Sequence, residues 1–261
     1  MDDPALTPAL RAWLEREKLE AMAEFAAGAG HEINNPVAAI VGRVQMLLPG
    51  ETNADRRHQL QTIAAQALRI RDMIGDAMLF ARPPAPECAL CDLTEIVERE
   101  AATLRELAAA RGTSIEFDLR PPAPVSVDRT QIAIVLHALV RNSFEALRSG
   151  GEVRVEVLSE PPQPEARPSP EEPRGPASLF GACLLSVTDN GPGLSEIDRR
   201  HLFDPFYSGR QAGRGLGFGL PKCWRIITLH EGTIEAVSEA GRTRFVVLLP
   251  HAGGRNAEGR K

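Results

Sequence analysis

Two groups of residues, far apart in the chain, have types and spacings suited to chemistry. The first is His31-Glu32-Ile33-Asn34-Asn35-Pro36. An imidazole becomes a better nucleophile when a neighbour accepts its proton, and the Glu32 carboxylate is placed to do so. Asn35 follows His31 by four residues, which puts its amide on the same helical face, where it can hold a water. Pro36 removes the N–H that would bond the Glu32 carbonyl and is expected to bend a helix there, at a propensity cost of about 3 kcal/mol. An exposed histidine beside a glutamate is also ordinary on a solvated helix. His31 taken alone therefore leaves both readings open.

The second group comprises Asn142, then Asp189-Asn190-Gly191-Pro192-Gly193, then Gly213-Arg214-Gly215-Leu216-Gly217-Phe218-Gly219-Leu220. Glycines at these spacings let the backbone approach a ligand and leave N–H groups to hold phosphate, the more so where the second run opens a helix. Asp189 ends the apolar run ACLLSVT and is suited to accept a hydrogen bond from an amine. Asn142 offers an oxygen to magnesium, a hard ion that keeps several waters. Turn glycines are the alternative for each run. The runs lack the lysine and hydroxyl of a P-loop, and the second is not followed by an acidic residue at the spacing of a dinucleotide fold.

Those residues need elements to hold them. From about Pro8 to Leu48 one long helix is predicted, because Leu19, Ala23, Ala26, Gly30, Ile33, Val37, Ile40, Val44 and Leu47 recur at alternating gaps of four and three. His31 lies one step off that seam. After a turn at Pro49-Gly50, the positions Leu60, Ile63, Ala67, Ile70 and Ile74 repeat the pattern up to Arg82. A lone hairpin cannot bury both sides of its stripe, so two hairpins are expected to form a four-helix bundle, a homodimer. Packing of the hairpin onto its own chain is the alternative.

The proline-rich stretch from Arg82 to Pro86 is expected to be a linker. A helix capped by Asp92 should follow, with Glu95 three residues on in the manner of a capping box. Strands are predicted at Ser114–Leu119, Glu152–Leu158, Ala182–Thr188, Thr233–Ser238 and Thr243–Leu249, with helices near Asp128–Arg148 and Gly217–Glu231. This is an α/β sandwich. The boundaries follow: helical hairpin 1–82, linker 83–91, α/β domain 92–250 and tail 251–261. Seven prolines between Pro161 and Pro176 are compatible with neither sheet nor helix, so 159–178 is expected to be a disordered insert.

At 261 residues and 43% hydrophobic content the chain can fill real cores, which excludes disorder throughout. Thirty basic against 35 acidic residues, a formal charge of -5, give no general pull toward nucleic acid or an acidic membrane. The acidic start MDDPAL does not resemble a signal peptide, and no stretch reaches the roughly 18 apolar residues of a spanning helix. A cytoplasmic protein is expected. Cys88 and Cys91 form a CxxC, but one such pair supplies two of the four ligands a structural zinc site usually takes, and two incidental linker thiols are expected.

In their order along the chain these motifs resemble the sensor histidine kinases of two-component systems. His31–Pro36 resembles the H box, Leu139–Ala146 the N box, Asp189–Leu194 the first glycine box, Phe203–Phe206 the F box and Gly213–Leu220 the second glycine box. The resemblance implies a dimerisation and phosphotransfer hairpin joined to an ATP-binding domain of the gyrase, Hsp90 and MutL fold. It implies ATP and Mg2+ as cofactors, a response regulator receiver domain as partner and no nucleic acid. By it, Asp189 would bind the adenine amine, Asn142 would ligate magnesium, and Gly191, Gly193, Gly213, Gly215 and Gly217 would line the nucleotide. His31 would attack the γ-phosphate with Glu32 as general base, and Asn35 would position water for dephosphorylating the partner. Arg210, in a short lid, would contact a phosphate or stay solvated.

Ala138 departs from the pattern, standing where these kinases commonly place a further Asn. The same position holds the catalytic Glu of the ATP-hydrolysing relatives, and alanine cannot act as a base, which argues against an ATPase of that kind. A degenerate nucleotide-binding scaffold, or a kinase relative biased to phosphatase work, is the alternative function.

Overall fold

The computed structural model describes residues 8–160, 181–207, 217–239 and 241–252. The chain divides after Pro84 into two compact units: the N-terminal helices, with which Gly217 and Phe218 group, and the remainder.

In the first unit, helix α1 (Pro8–Leu47) runs without interruption through Pro36. A 3-10 turn, Leu48–Gly50, leads to helix α2 (Ala54–Ala81), whose start is capped by the Asn53 side chain accepting from the Arg56 N–H at 3.0 Å. The predicted seam does hold the pair together, but only along half its width. Gly30, Val37 and Val44 are buried, and Ala67 is their counterpart on α2. Gly30 leaves little room between the helices: a Cβ there would stand 2.8 Å from the Met78 sulfur. Ile40, Leu47, Ile63 and Ile70, equally part of the pattern, are exposed.

The second unit has two layers. Its sheet runs β2 (Ser114–Leu119), β4 (Glu152–Glu160), β5 (Ala182–Asp189), β7 (Arg242–Pro250), β6 (Thr233–Glu239), with β2 parallel to β4 and the other pairs antiparallel. One face is a continuous apolar layer of Val153, Val155, Val157, Leu185, Val187, Phe245 and Val247. Against it pack α3 (Leu93–Ala109), α4 (Arg129–Leu147) and α6 (Gly219–Leu229). Strand side chains alternate in direction, so the other face carries an ion network, with Arg154 bonding Asp118 at 2.8 Å and Arg244 bonding Glu156 at 3.1 Å. The five predicted strands and both predicted helices are present, each displaced by two residues or fewer at its ends.

Three expectations need correction. Ala89–Asp92 is a strand, β1, paired antiparallel with β3 (Pro124–Val127), so the predicted linker 83–91 ends inside a β-ladder. Cys91 there is buried rather than a loop thiol, and burial pushes its thiol up. At Asp92 the carboxylate does cap α3, accepting from the Thr94 N–H at 2.9 Å, but Glu95 does not complete a capping box and lies 3.7 Å from Arg129. The capping box is instead at the start of α5 (Glu196–His201), between Ser195 and Asp198. The predicted insert 159–178 lies outside the described residues from 161 onward, as does the tail from 253.

Candidate nucleotide site and phospho-acceptor helix

The second unit brings four of the predicted residues to one end of its sheet. Asp189 ends β5, a strand flanked on both sides by partners, and is 1% exposed. Burying a carboxylate is costly unless its oxygens are matched by donors. Both are. Oδ2 accepts from the Ser143 hydroxyl at 2.8 Å, and Oδ1 accepts from the Gly191 N–H at 3.0 Å. Ser143 follows Asn142 on α4, so the helix that presents Asn142 also fixes the carboxylate. The space beside Oδ1 is tight, since a Cβ on Gly191 would meet that oxygen at 2.7 Å.

The turn after β5 is held by side chains that sequence reasoning passed over. Asn190 accepts from the Glu152 N–H at 2.8 Å and so braces the turn against the start of β4. Ser238 accepts from the Leu194 N–H at 2.8 Å. Gly193 has φ +82°, where an L side chain is strained, and a Cβ on it would stand 3.0 Å from the Ser238 hydroxyl. Nothing local in the sequence marks Ser238 or Ser143 as partners, because each acts on a residue more than forty positions away.

Below this turn α5 leads to Tyr207. Its hydroxyl donates to Asp198 Oδ1 at 2.7 Å, and Asp198 Oδ2 accepts from the Ser195 hydroxyl at 2.6 Å. The Ser195 and Tyr207 hydroxyls outweigh partial burial and hold the Asp198 carboxyl below its usual range. The bond to Asp198 correspondingly raises the Tyr207 phenol. Phe206 is exposed and adopts φ +67°.

Asn142 is half-buried on α4. Among the described residues no three His, Cys, Asp or Glu side chains gather to hold a metal. A single amide oxygen fits an ion that takes its other ligands from phosphate and water, as Mg2+ does, and does not fit a metal needing a protein cage. Ala138, one turn earlier, packs against the core. Gly217 has φ +74° and groups with the helical unit. Arg210, Gly213 and Gly215 lie outside the described residues.

On α1 the backbone at His31 is helical, and its side chain lies outside what is described. Glu32 and Asn35 are exposed, while Gly30 is buried against α2. The structure thus places Asn142, Asp189, Gly191 and Gly193 in one unit and His31, Glu32 and Asn35 in the other.

Comparison with known proteins agrees with this division. The model of the His Kinase A (phospho-acceptor) domain matches residues 21–86, and that of the histidine kinase-, DNA gyrase B-, and HSP90-like ATPase matches 127–253. The chain belongs to the histidine kinase family. It is 28% identical over 239 residues to sporulation kinase C of Bacillus subtilis, covering 90% of this chain and 50% of that protein. With the sensory histidine kinase/phosphatase NtrB of Rhodobacter capsulatus it shares 30% identity over 232 residues, 88% of this chain and 62% of that one. The chain spans half or less of the length of sporulation kinases C and E and of the kinase AtoS.

Among solved structures, full-length ShkA in complex with AMPPNP superimposes with a TM-score of 0.67 at 20% identity, over 87% of this chain and 45% of that one. The kinase ThkA in complex with response regulator protein TrrA gives 0.61 at 21%, over 97% and 69%. At such identities the likeness concerns the fold. No helix among the described residues is long and apolar enough to cross a membrane.

Proposed function

We propose that this chain is a cytoplasmic, homodimeric protein histidine kinase that autophosphorylates on His31 and passes the phosphoryl group to an aspartate on a response regulator receiver domain. The observation that carries this reading is the buried Asp189 carboxylate, oriented by Ser143 and Gly191 beneath the helix that bears Asn142, in a chain that also supplies a phospho-acceptor helix. Asp189 Oδ1 and Oδ2 accept hydrogen bonds, which suits the exocyclic amine of adenine. Asn142 would contribute one oxygen to Mg2+. Gly191, Gly193, Gly213, Gly215 and Gly217 would let the backbone close on the nucleotide, with Arg210 beside a phosphate.

Bound Mg·ATP would supply a γ-phosphoryl group with part of its charge neutralised. A His31 ring nitrogen forms the bond to phosphorus as the bond to the bridging oxygen of ADP breaks, and Glu32 accepts the ring proton. Little covalent work remains for the protein beyond placing these groups in line. Asn35, exposed one turn after His31, would orient water for the reverse duty, hydrolysis of the partner's phospho-aspartate. Residues 1–82 would form the dimerising hairpin and 92–250 the nucleotide-binding domain. The exposed Ile40, Leu47, Ile63 and Ile70 support the dimer, since a second copy would cover them.

The test is incubation with γ-labelled ATP and magnesium, for the wild type and for His31→Gln, followed by acid and by alkali. Acid-labile, alkali-stable label that is absent from His31→Gln is expected. One observation favours a second reading: Ala138 offers no polar atom where the family commonly has an amide. Absence of label, with ATP binding retained and lost in Asp189→Asn, would overturn the autokinase reading in favour of a phosphatase-biased or scaffolding relative.

A further inference from the structure

Asp128 stands outside the site described above and joins three parts of the second unit. Its Oδ1 accepts from the Thr130 and Gln131 N–H groups at 2.9 and 3.1 Å, capping α4. Its own N–H donates to Nε2 of His230 at 3.1 Å, and His230, 2% exposed, uses Nδ1 to donate to the Ile226 carbonyl at 2.8 Å near the end of α6. That pairing assigns the tautomer, because an amide donor leaves Nε2 as the acceptor. The remaining oxygen, Oδ2, reaches back forty-one positions and accepts from the Glu87 N–H at 3.0 Å.

Helix capping needs only one carboxylate oxygen. The second is spent on a residue just past the division at Pro84, before β1 begins at Ala89. Burial pushes the Asp128 carboxyl up, but the amides of Glu87, Gln131 and Thr130 together outweigh it and hold it below the ordinary carboxylate value.

We propose that Asp128 is a positioning residue for phosphoryl transfer: by clamping the Glu87 amide to the His230-anchored start of α4, it sets the length and exit direction of the chain that joins the nucleotide-binding unit to the His31 helix. The inference rests on the kinase reading. Releasing Glu87 frees Glu87 and Cys88 ahead of β1, about 7 Å of extended chain at the usual rise per residue. The γ-phosphate then samples a larger volume and more orientations about His31. Nucleotide affinity does not change, because the groups assigned to the nucleotide are untouched.

Two variants cut the same bond from opposite sides. Asp128→Asn keeps an acceptor for the α4 cap but places an amide NH2 where Oδ2 stood. Glu87→Pro deletes the donor N–H and leaves Asp128 and its cap alone. In the full chain, both are expected to lower the saturating rate of autophosphorylation roughly two- to tenfold, the smaller figure from tether length and the larger from lost orientation. KM for ATP should stay unchanged, and hydrogen exchange should accelerate at residues 87 and 88 in Asp128→Asn and at residue 88 in Glu87→Pro, which has no amide hydrogen at 87. Insertion of two glycines after Pro86 should reproduce the smaller figure.

A wild type that labels, with either variant matching its saturating rate, would overturn the inference alone. So would a rise in KM parallel to the loss of rate, or an effect of Asp128→Asn that Glu87→Pro does not share. A wild type that takes no label would overturn the kinase reading and this inference with it.

Discussion

The two units bury their apolar residues to different degrees. In the second, the sheet and three helices close on one another, and Leu139, Val155, Phe245 and Val247 have no exposed surface. In the first, the same kind of pattern is only half used. Val37 and Val44 are buried against α2, while Ile40 and Leu47, on the same seam, face outward with Ile63 and Ile70. A sheet covered on one face by helices is finished within one chain, whereas a two-helix hairpin has a second apolar side that its own chain leaves open. The difference separates a unit that is finished within one chain from one whose exposed isoleucines and leucine the proposed dimer would cover.

Ile63→Asp tests that difference most directly. Covering an isoleucine is worth about 1.5–3 kcal/mol, and a twofold axis counts it twice, so association should weaken by about 3–6 kcal/mol. Sedimentation should show monomers at micromolar concentration, with unfolding of the nucleotide-binding unit unchanged. A wild type that is already monomeric would refute the dimer. Phe245→Ala should do the opposite, costing the second unit about 3–5 kcal/mol in urea unfolding while leaving association intact.

Smaller effects test how the site is held. Gly193→Ala places a side chain at φ +82° and 3.0 Å from Ser238, and should cost about 1–2 kcal/mol together with weaker ATP binding, read by titration calorimetry. The smallest is Tyr207→Phe, which removes one of the donors that keep Asp198 low. A depressed carboxyl adds stability that is fully present above its unfolded value, ordinarily 3.8, and is lost as pH falls through the lower folded value. The gap between wild type and Tyr207→Phe should therefore be present near neutrality and shrink below about pH 4. A gap independent of pH would show that Asp198 does not carry it.

The strands that were easiest to read are those with long alternation or long apolar runs: Ser114–Leu119 matches its expectation residue for residue, and ACLLSVT lies within β5. Asp189 was legible for the same reason, since a lone carboxylate ending such a run stands out. β1 and β3 were not, because each is four residues long beside prolines and their ladder joins positions more than thirty residues apart. Glu95 misled because its spacing from Asp92 fits a capping box, while Arg129, far along the chain, competes for its side chain. Ser143 and Asp128 were read as parts of a helix and its boundary. Their roles arise from partners at residues 189, 87 and 230, which only folding brings near.

The register between β4 and β5 has a practical consequence. Eight residue pairs run from Val153 opposite Asp189 to Glu160 opposite Ala182. Glu160 and Ala182 therefore close the described ladder at its end remote from Asp189, roughly 24 Å of strand away. A change of length between those two residues enters the sheet with the whole ladder between its attachment points and Asp189. Those two attachment points suit the grafting of an affinity tag or a second domain, with nucleotide binding expected to be unchanged.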